Sequence, residues 1–186
     1  GVDSLYKALK KTAEVGPATA KAHGKVFSVT PSDALMAWLV TGMEANGFRT
    51  EPGIFSADAI DPGSALLADQ IPPLKGRVAD LGSGWGYLAH RVLQASPDIT
   101  EIQLVEADAE ALGCGRQNVA DPRASHLWED ATVWTPPEPF DAVISNPPFH
   151  TGRAADPALG RAFIKAAARA LKPKGTLWLV ANRQLP

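Results

Sequence analysis

From about residue 50 onward, short apolar runs alternate with helix-spaced ones, and this alternation constrains the fold more than any other feature. Arg77–Leu81, Ile102–Glu106, Ser125–Trp128, Phe140–Ser145 and Thr176–Ala181 have the length and content of strands. Between them, Leu88, Val92 and Ala95 repeat at helical spacing before Pro97. Leu159, Phe163, Ala166 and Ala170 make a clearer stripe between Asp156-Pro157 and Pro173. Leu112, Arg116 and Val119 make a weaker one, interrupted by Gly113 and Gly115. Asp61-Pro62 reads as an N-cap followed by Pro in the first turn of a helix through Leu67, which Pro72-Pro73 ends. Strands alternating with helices of this length predict βαβ units, hence an α/β fold with a mostly parallel sheet covered on both faces. Ligands of such sheets bind beyond the carboxyl ends of the strands.

The first 30 residues lack this alternation. Leu5, Leu9 and Tyr6 support a turn or two of helix before Gly16-Pro17. Five lysines (Lys7, Lys10, Lys11, Lys21, Lys25) stand against Asp3 and Glu14 there. A solvated helix and linker accounts for this segment, and an arm facing nucleic acid is the alternative. From Ser32 to Glu44, Leu35, Met36, Leu39, Val40 and Met43 follow a Ser32-Asp33 N-cap at helical spacing, which predicts one further helix. The expected organisation is an N-terminal helical segment over 1–48 and a ligand-binding domain over 49–186.

Composition narrows the function classes. The chain of 186 residues is 45% apolar and 20% charged, as expected of one globular domain with a short remainder. Its net charge of −2 gives no global basic field to attract nucleic acid. Cys114 is the single cysteine, which excludes an internal disulfide and, with four scattered histidines, a Cys-rich zinc site. His90 and His126 share no metal-ligand spacing, so no metal is expected. No run approaches the ~18 apolar residues of a membrane span, and the first residues lack the apolar core of a signal peptide. A cytoplasmic setting is expected. The chain begins without Met, which suggests a piece of something longer.

Val78-Ala79-Asp80-Leu81-Gly82-Ser83-Gly84-Trp85-Gly86 ends one predicted strand and opens a predicted helix. Glycines at that point let the backbone turn tightly and approach a ligand. Tyr87 stands where a dinucleotide fingerprint needs its third glycine, and no Gly-Lys-Ser/Thr follows for a nucleoside triphosphate. A three-glycine turn by itself also serves as plain structure. Asp80 adds a carboxylate able to accept from an ammonium group. Glu106, closing the next strand, is positioned to take both hydroxyls of a ribose, as in other nucleotide-binding sheets. Asp130, after the third strand, can accept from the amine of an adenine while the Ala131 amide meets the ring. Glu129 competes for that role, and Asp also commonly initiates turns. Ribose, adenine and an amino-acid ammonium together describe S-adenosylmethionine better than NAD.

Asn146-Pro147-Pro148-Phe149 follows the fourth strand directly. Two prolines stiffen the backbone and remove two N–H donors, leaving carbonyl acceptors on display. The Asn146 side-chain oxygen and the Pro147 carbonyl can then accept together from one –NH2 group. Phe149 offers a face for a base to stack on, worth ~1–3 kcal/mol. A conjugated amine is a poor nucleophile because its lone pair is delocalised. Two fixed acceptors favour its pyramidalisation and aim the lone pair at a methyl sulfonium, with no charged base required. His150 lies beside this tetrad. Phe55 and Asp61 precede the sheet and can close over a cofactor, although helix capping explains Asp61 equally well.

These motifs resemble those of class I S-adenosylmethionine-dependent methyltransferases acting on exocyclic amines, which have a Rossmann-like sheet. Gly53-Ile54-Phe55-Ser56-Ala57-Asp58, Asp61-Pro62-Gly63-Ser64 and the stretch from Asn146 to Gly152 resemble one branch. It comprises the bacterial ribosomal RNA guanine-N2 methyltransferases of the small-methyltransferase domain type, notably the small-subunit enzyme. The likeness covers about residues 50–186, and Lys21 to Phe27 resembles the exit from that family's N-terminal domain. It implies S-adenosylmethionine bound by Asp80, Gly82, Ser83, Gly84, Gly86, Glu106, Ala107, Asp130, Ala131 and Asn146. It also implies catalysis by Asn146, Pro147, Pro148 and Phe149, with ribosomal RNA or the small ribosomal subunit as partner and the target base splayed from its stack. The sheet of that class continues past the fifth strand, so the last strands are expected to be lacking here. Adenine N6, a protein glutamine amide, or cofactor binding without turnover are the alternatives the residues leave open.

Overall fold

A computed structural model describes residues 1–38, 42–148, 150–151, 154–155 and 157–181. The chain divides into two compact units, Gly1–Thr41 and Gly42–Pro186. In the first, helix α1 (Val2–Thr12) is followed by an antiparallel hairpin of β1 (Thr19–Lys21) and β2 (Gly24–Val26). The Tyr6 hydroxyl donates to the Gly16 carbonyl (2.9 Å), and its ring meets Phe27 edge-on at 4.9 Å. Asp33–Trp38 forms a 3-10 turn.

The helix expected from Ser32 to Glu44 is therefore corrected. Helical structure covers Asp33–Trp38, whereas Met43–Ala45 is strand β3, paired antiparallel with β4 (Phe48–Thr50). Asn46 and Gly47 between them both take positive φ (+53° and +86°), the pair a tight type I′ hairpin demands. This hairpin belongs to the second unit and packs within it. The Phe48 ring lies 5.2 Å from that of Trp85 and 5.7 Å from that of Tyr87. The Asn118 carboxamide accepts from the Arg49 amide and donates to the Arg49 carbonyl, both at 2.8 Å.

Then α2 (Pro62–Gln70) leads into β5 (Gly76–Leu81), α3 (Tyr87–Ala95), β6 (Ile99–Glu106), α4 (Ala109–Asn118), β7 (Ala124–Trp128) and β8 (Phe140–Ser145). A short antiparallel pair, β9 (His150–Thr151) with β10 (Ala154–Ala155), precedes α5 (Pro157–Ala170) and β11 (Leu171–Leu179). Among the described residues, five strands form one parallel sheet in the order β11-β8-β5-β6-β7, the Rossmann-like α/β architecture the alternation predicts. All five predicted strands are present. β6 starts three residues early, and β11 runs back through Pro173 with its register shifted between Leu171 and Thr176.

Neighbouring residues of β5 serve opposite faces. Val78 joins Leu67, Leu88, Val92 and Ala111, under α2, α3 and α4. Ala79 and Leu81 join Phe163, Ala166 and Ala170 of α5. Val78, Ala79, Asp80 and Leu81 have no exposed surface, and a strand buried on both faces reads as a continuous apolar run. At the amino end of the sheet, Arg77 pairs with Glu101 (2.9 Å), and Lys172 with Asp141 (2.9 Å). No helix among the described residues is long and apolar enough to cross a membrane.

Candidate active site

β5 lies between β6 and β8, so the chain winds outward in both directions from it and leaves a crevice at its carboxyl end. The Ser145 hydroxyl, buried at the end of β8, donates to the Leu81 carbonyl (2.7 Å). That bond ties the last residue before the glycine turn to the last residue before Asn146.

The Gly82 and Ser83 amides both donate to the Val105 carbonyl (2.9 and 3.2 Å), which folds the turn over the end of β6. At Gly84 (φ +55°) a Cβ would meet nothing within 4 Å, so the bare backbone faces open space. Gly86 (φ +90°) has a different duty. It heads α3, and a Cβ there would come 2.6 Å from Val119 Cγ2, so it permits packing against α4. Glu106 holds the turn in place: Oε2 accepts from the Gly84 amide (2.7 Å) and Oε1 from the Asp108 amide (2.8 Å). The Trp85 indole donates to the Phe55 carbonyl (3.0 Å), anchoring a residue that also lines the cavity.

Asp80 lies behind this turn with no exposed surface, and neither carboxylate oxygen has a hydrogen-bond partner. Burial, aided by the Glu106 charge, pushes its pKa up to about 8, against a smaller opposing pull from the Ala89 amide. The buried Ser83 hydroxyl is likewise unpartnered. Asp130 Oδ1 accepts from the Thr132 amide (2.8 Å) and hydroxyl (2.7 Å), an Asx turn that fixes the carboxyl group. Trp128 Nε1 donates to the Ala107 carbonyl (2.8 Å) and steadies the segment after Glu106.

Asn146 is held by two side chains from another element. Its Nδ2 donates to Asp61 Oδ2 (2.9 Å) and to Ser64 Oγ (2.8 Å), both at the start of α2. With both amide hydrogens engaged, Oδ1 is the group left to meet a ligand. Pro147 is buried and Pro148 is exposed.

Nine of the expected site residues line one cavity of about 630 Å³. Gly82, Gly84, Glu106 and Ala107 come from the ends of β5 and β6, Asp130 and Ala131 from the segment after β7. Asn146, Pro147 and Pro148 follow β8. Glu129, the competitor of Asp130, is not in the wall. Ser83 lines a small adjoining pocket of about 40 Å³, with Asp61, Ser64 and Asn146. Asp80 and Gly86 reach neither wall, and Phe149 lies outside the described residues. Sequence reasoning left Asp61 unassigned and overlooked Ser64 and Thr132. The signal for the first two was the Asp61-Pro62-Gly63-Ser64 cap itself, in which one carboxylate serves both the Ser64 amide (2.7 Å) and Asn146.

Comparison with known proteins places the chain in a family. A protein of Shewanella sp. (strain MR-7) called ribosomal RNA small subunit methyltransferase C is 31% identical across the whole of this chain, which spans 58% of that relative. The protein of the same name from Klebsiella pneumoniae is 34% identical over 88% of this chain and 48% of its own length. The chain thus spans about half to three-fifths of these relatives. A solved structure of the T. thermophilus 16S rRNA N2 G1207 methyltransferase, in complex with AdoMet and guanosine, shares the fold with a TM-score of 0.72. It is 24% identical and matches 100% of this chain and 54% of its own. The methyltransferase small domain model matches residues 45–186, which take in β4, the glycine turn and the Asn146 segment. On that match this chain belongs to the methyltransferase small domain family.

Proposed function

We propose that this chain is the cofactor-binding, methyl-transferring part of a cytoplasmic ribosomal RNA methyltransferase acting on the N2 amine of guanine, with S-adenosylmethionine as donor. The observation that carries this reading is the Asn146 carboxamide. Its nitrogen is held from behind by Asp61 and Ser64, on the wall of the cavity that the glycine turn, Glu106 and Asp130 also line. The names of the relatives and the guanosine complex support the choice of acceptor.

The residues suit such a cofactor. A volume of about 630 Å³ is within the ~300–1,000 Å³ usual for small-molecule sites. Glu106 offers acceptors for a ribose diol, and Asp130 one for an adenine amine. Asp80, buried without a partner behind the turn, can act on a cationic group there through its charge rather than by lining the cavity. S-adenosylmethionine, when bound, supplies an electrophilic methyl on a sulfonium. The protein's part is to hold and orient the amine. Asn146 Oδ1 and the Pro147 carbonyl accept its two hydrogens, which draws the nitrogen lone pair out of conjugation. The prolines keep these acceptors from drifting. Fixed alignment of two reactants is worth up to ~7–11 kcal/mol in the best cases, so positioning alone supplies a large share of the acceleration.

Incubation with small ribosomal subunits or naked ribosomal RNA, followed by nucleoside mass spectrometry, tests the assignment. N2-methylguanine is expected, and N6-methyladenine in its place would refute it. Asn146→Ala is expected to lose at least ~10²-fold in transfer while binding S-adenosylmethionine almost normally. An equal loss of cofactor affinity would contradict this division of labour.

A further inference from the structure

The Asp61 carboxylate joins two elements that are 85 residues apart in sequence. Its Oδ2 accepts from the Ser64 amide (2.7 Å), the cap of α2, and also from the Asn146 carboxamide (2.9 Å). Ser64 Oγ accepts the second carboxamide hydrogen (2.8 Å). An ionised carboxylate only accepts, so the Asn146 nitrogen must face Asp61 and its oxygen must face away. The approach is close: a Cβ at Gly63 would stand 3.0 Å from the same Oδ2.

We propose that Asp61 is a positioning residue for methyl transfer, selecting the flip of the Asn146 carboxamide that presents Oδ1 to the target amine. This inference rests on the guanine-N2 reading above. A serine cap would satisfy the helix equally well. The carboxylate adds reach and charge. A charge-assisted bond to Nδ2 polarises the carboxamide and makes Oδ1 a stronger acceptor for the amine hydrogen.

Asp61→Ser separates the two duties, since its hydroxyl still caps the Ser64 amide but is too short to reach Asn146. In the cofactor-free chain, the Asn146 side-chain NH2 signals are expected to lose their protection from solvent exchange. The kcat is expected to fall about 10–100-fold, with the Kd for S-adenosylmethionine unchanged. Added to Asn146→Ala, the substitution is expected to cost nothing further, because its effect passes through that side chain. Full additivity, or unaltered Asn146 signals, would overturn the proposal. Should Asp61→Ser fail to fold, Asp61→Asn keeps a cap acceptor for the Ser64 amide, removes the charge and carries the same coupling test. Lost protection in a chain whose wild type methylates no guanine would sink the functional reading yet uphold the Asp61–Asn146 link. Unaltered signals beside normal wild-type transfer would do the reverse.

Discussion

Asp80 is fully buried and unpartnered, and its pKa of about 8 compares with 3.8 for a free carboxylate. Between those two values the folded protein keeps a proton that the unfolded chain releases. Stability therefore falls as pH rises through the window from roughly 4 to 8. Asp80→Asn keeps the shape and removes the ionisation. Its Tm at pH 8 is expected to exceed that of the wild type, with a flatter pH dependence by scanning calorimetry. The same variant is expected to bind S-adenosylmethionine more weakly by titration calorimetry at pH 8, where Asp80, although it reaches neither cavity wall, begins to carry charge behind the turn. Parallel pH curves for the two proteins would count against this account. At this scale the sequence displayed the residue types of the site, including Asp80, Glu106, Asp130 and Asn146, but not their partners. That Asp61 grips Asn146 depends on α2 lying against the end of β8, which no local pattern reports.

The glycine turn shows how one element divides its work. At Gly86 a methyl group would collide with the Val119 side chain, whereas at Gly84 it would enter open space. Gly86→Ala is expected to cost about 1–3 kcal/mol of stability by denaturant unfolding. Gly84→Ala is expected to cost roughly 1 kcal/mol, from its left-handed backbone, and to weaken cofactor binding more than Gly86→Ala does. A reversed order of these effects would refute the separation. The strands were legible because two-sided burial turns each into an apolar run bounded by turn residues. The stretch from Ser32 to Glu44 misled for a related reason. Its apolar spacing fits a helix, but Asn46-Gly47 reverses the chain just beyond it and draws Ala45, with no exposed surface, into β3. Hairpin chemistry outranked periodicity there. Helix α4, weak by periodicity, is fixed instead by Asp108, whose carboxylate accepts from the Glu110 and Ala111 amides.

Every described residue of the cavity wall belongs to the unit Gly42–Pro186, with its own two-faced core. A chain of residues 42–186 is therefore expected to fold cooperatively and to bind S-adenosylmethionine with the affinity of residues 1–186. Calorimetry on the two chains checks this, and loss of binding in the shorter one would place part of the site in Gly1–Thr41. The hydroxyl of Ser145 and the carbonyl of Leu81 carry a final implication. Because they join the ends of the adjacent strands β5 and β8, the glycine turn and the Asn146 segment start from points one inter-strand spacing apart, about 4.8 Å. That separation is therefore expected to persist for as long as the pairing of β5 with β8 does.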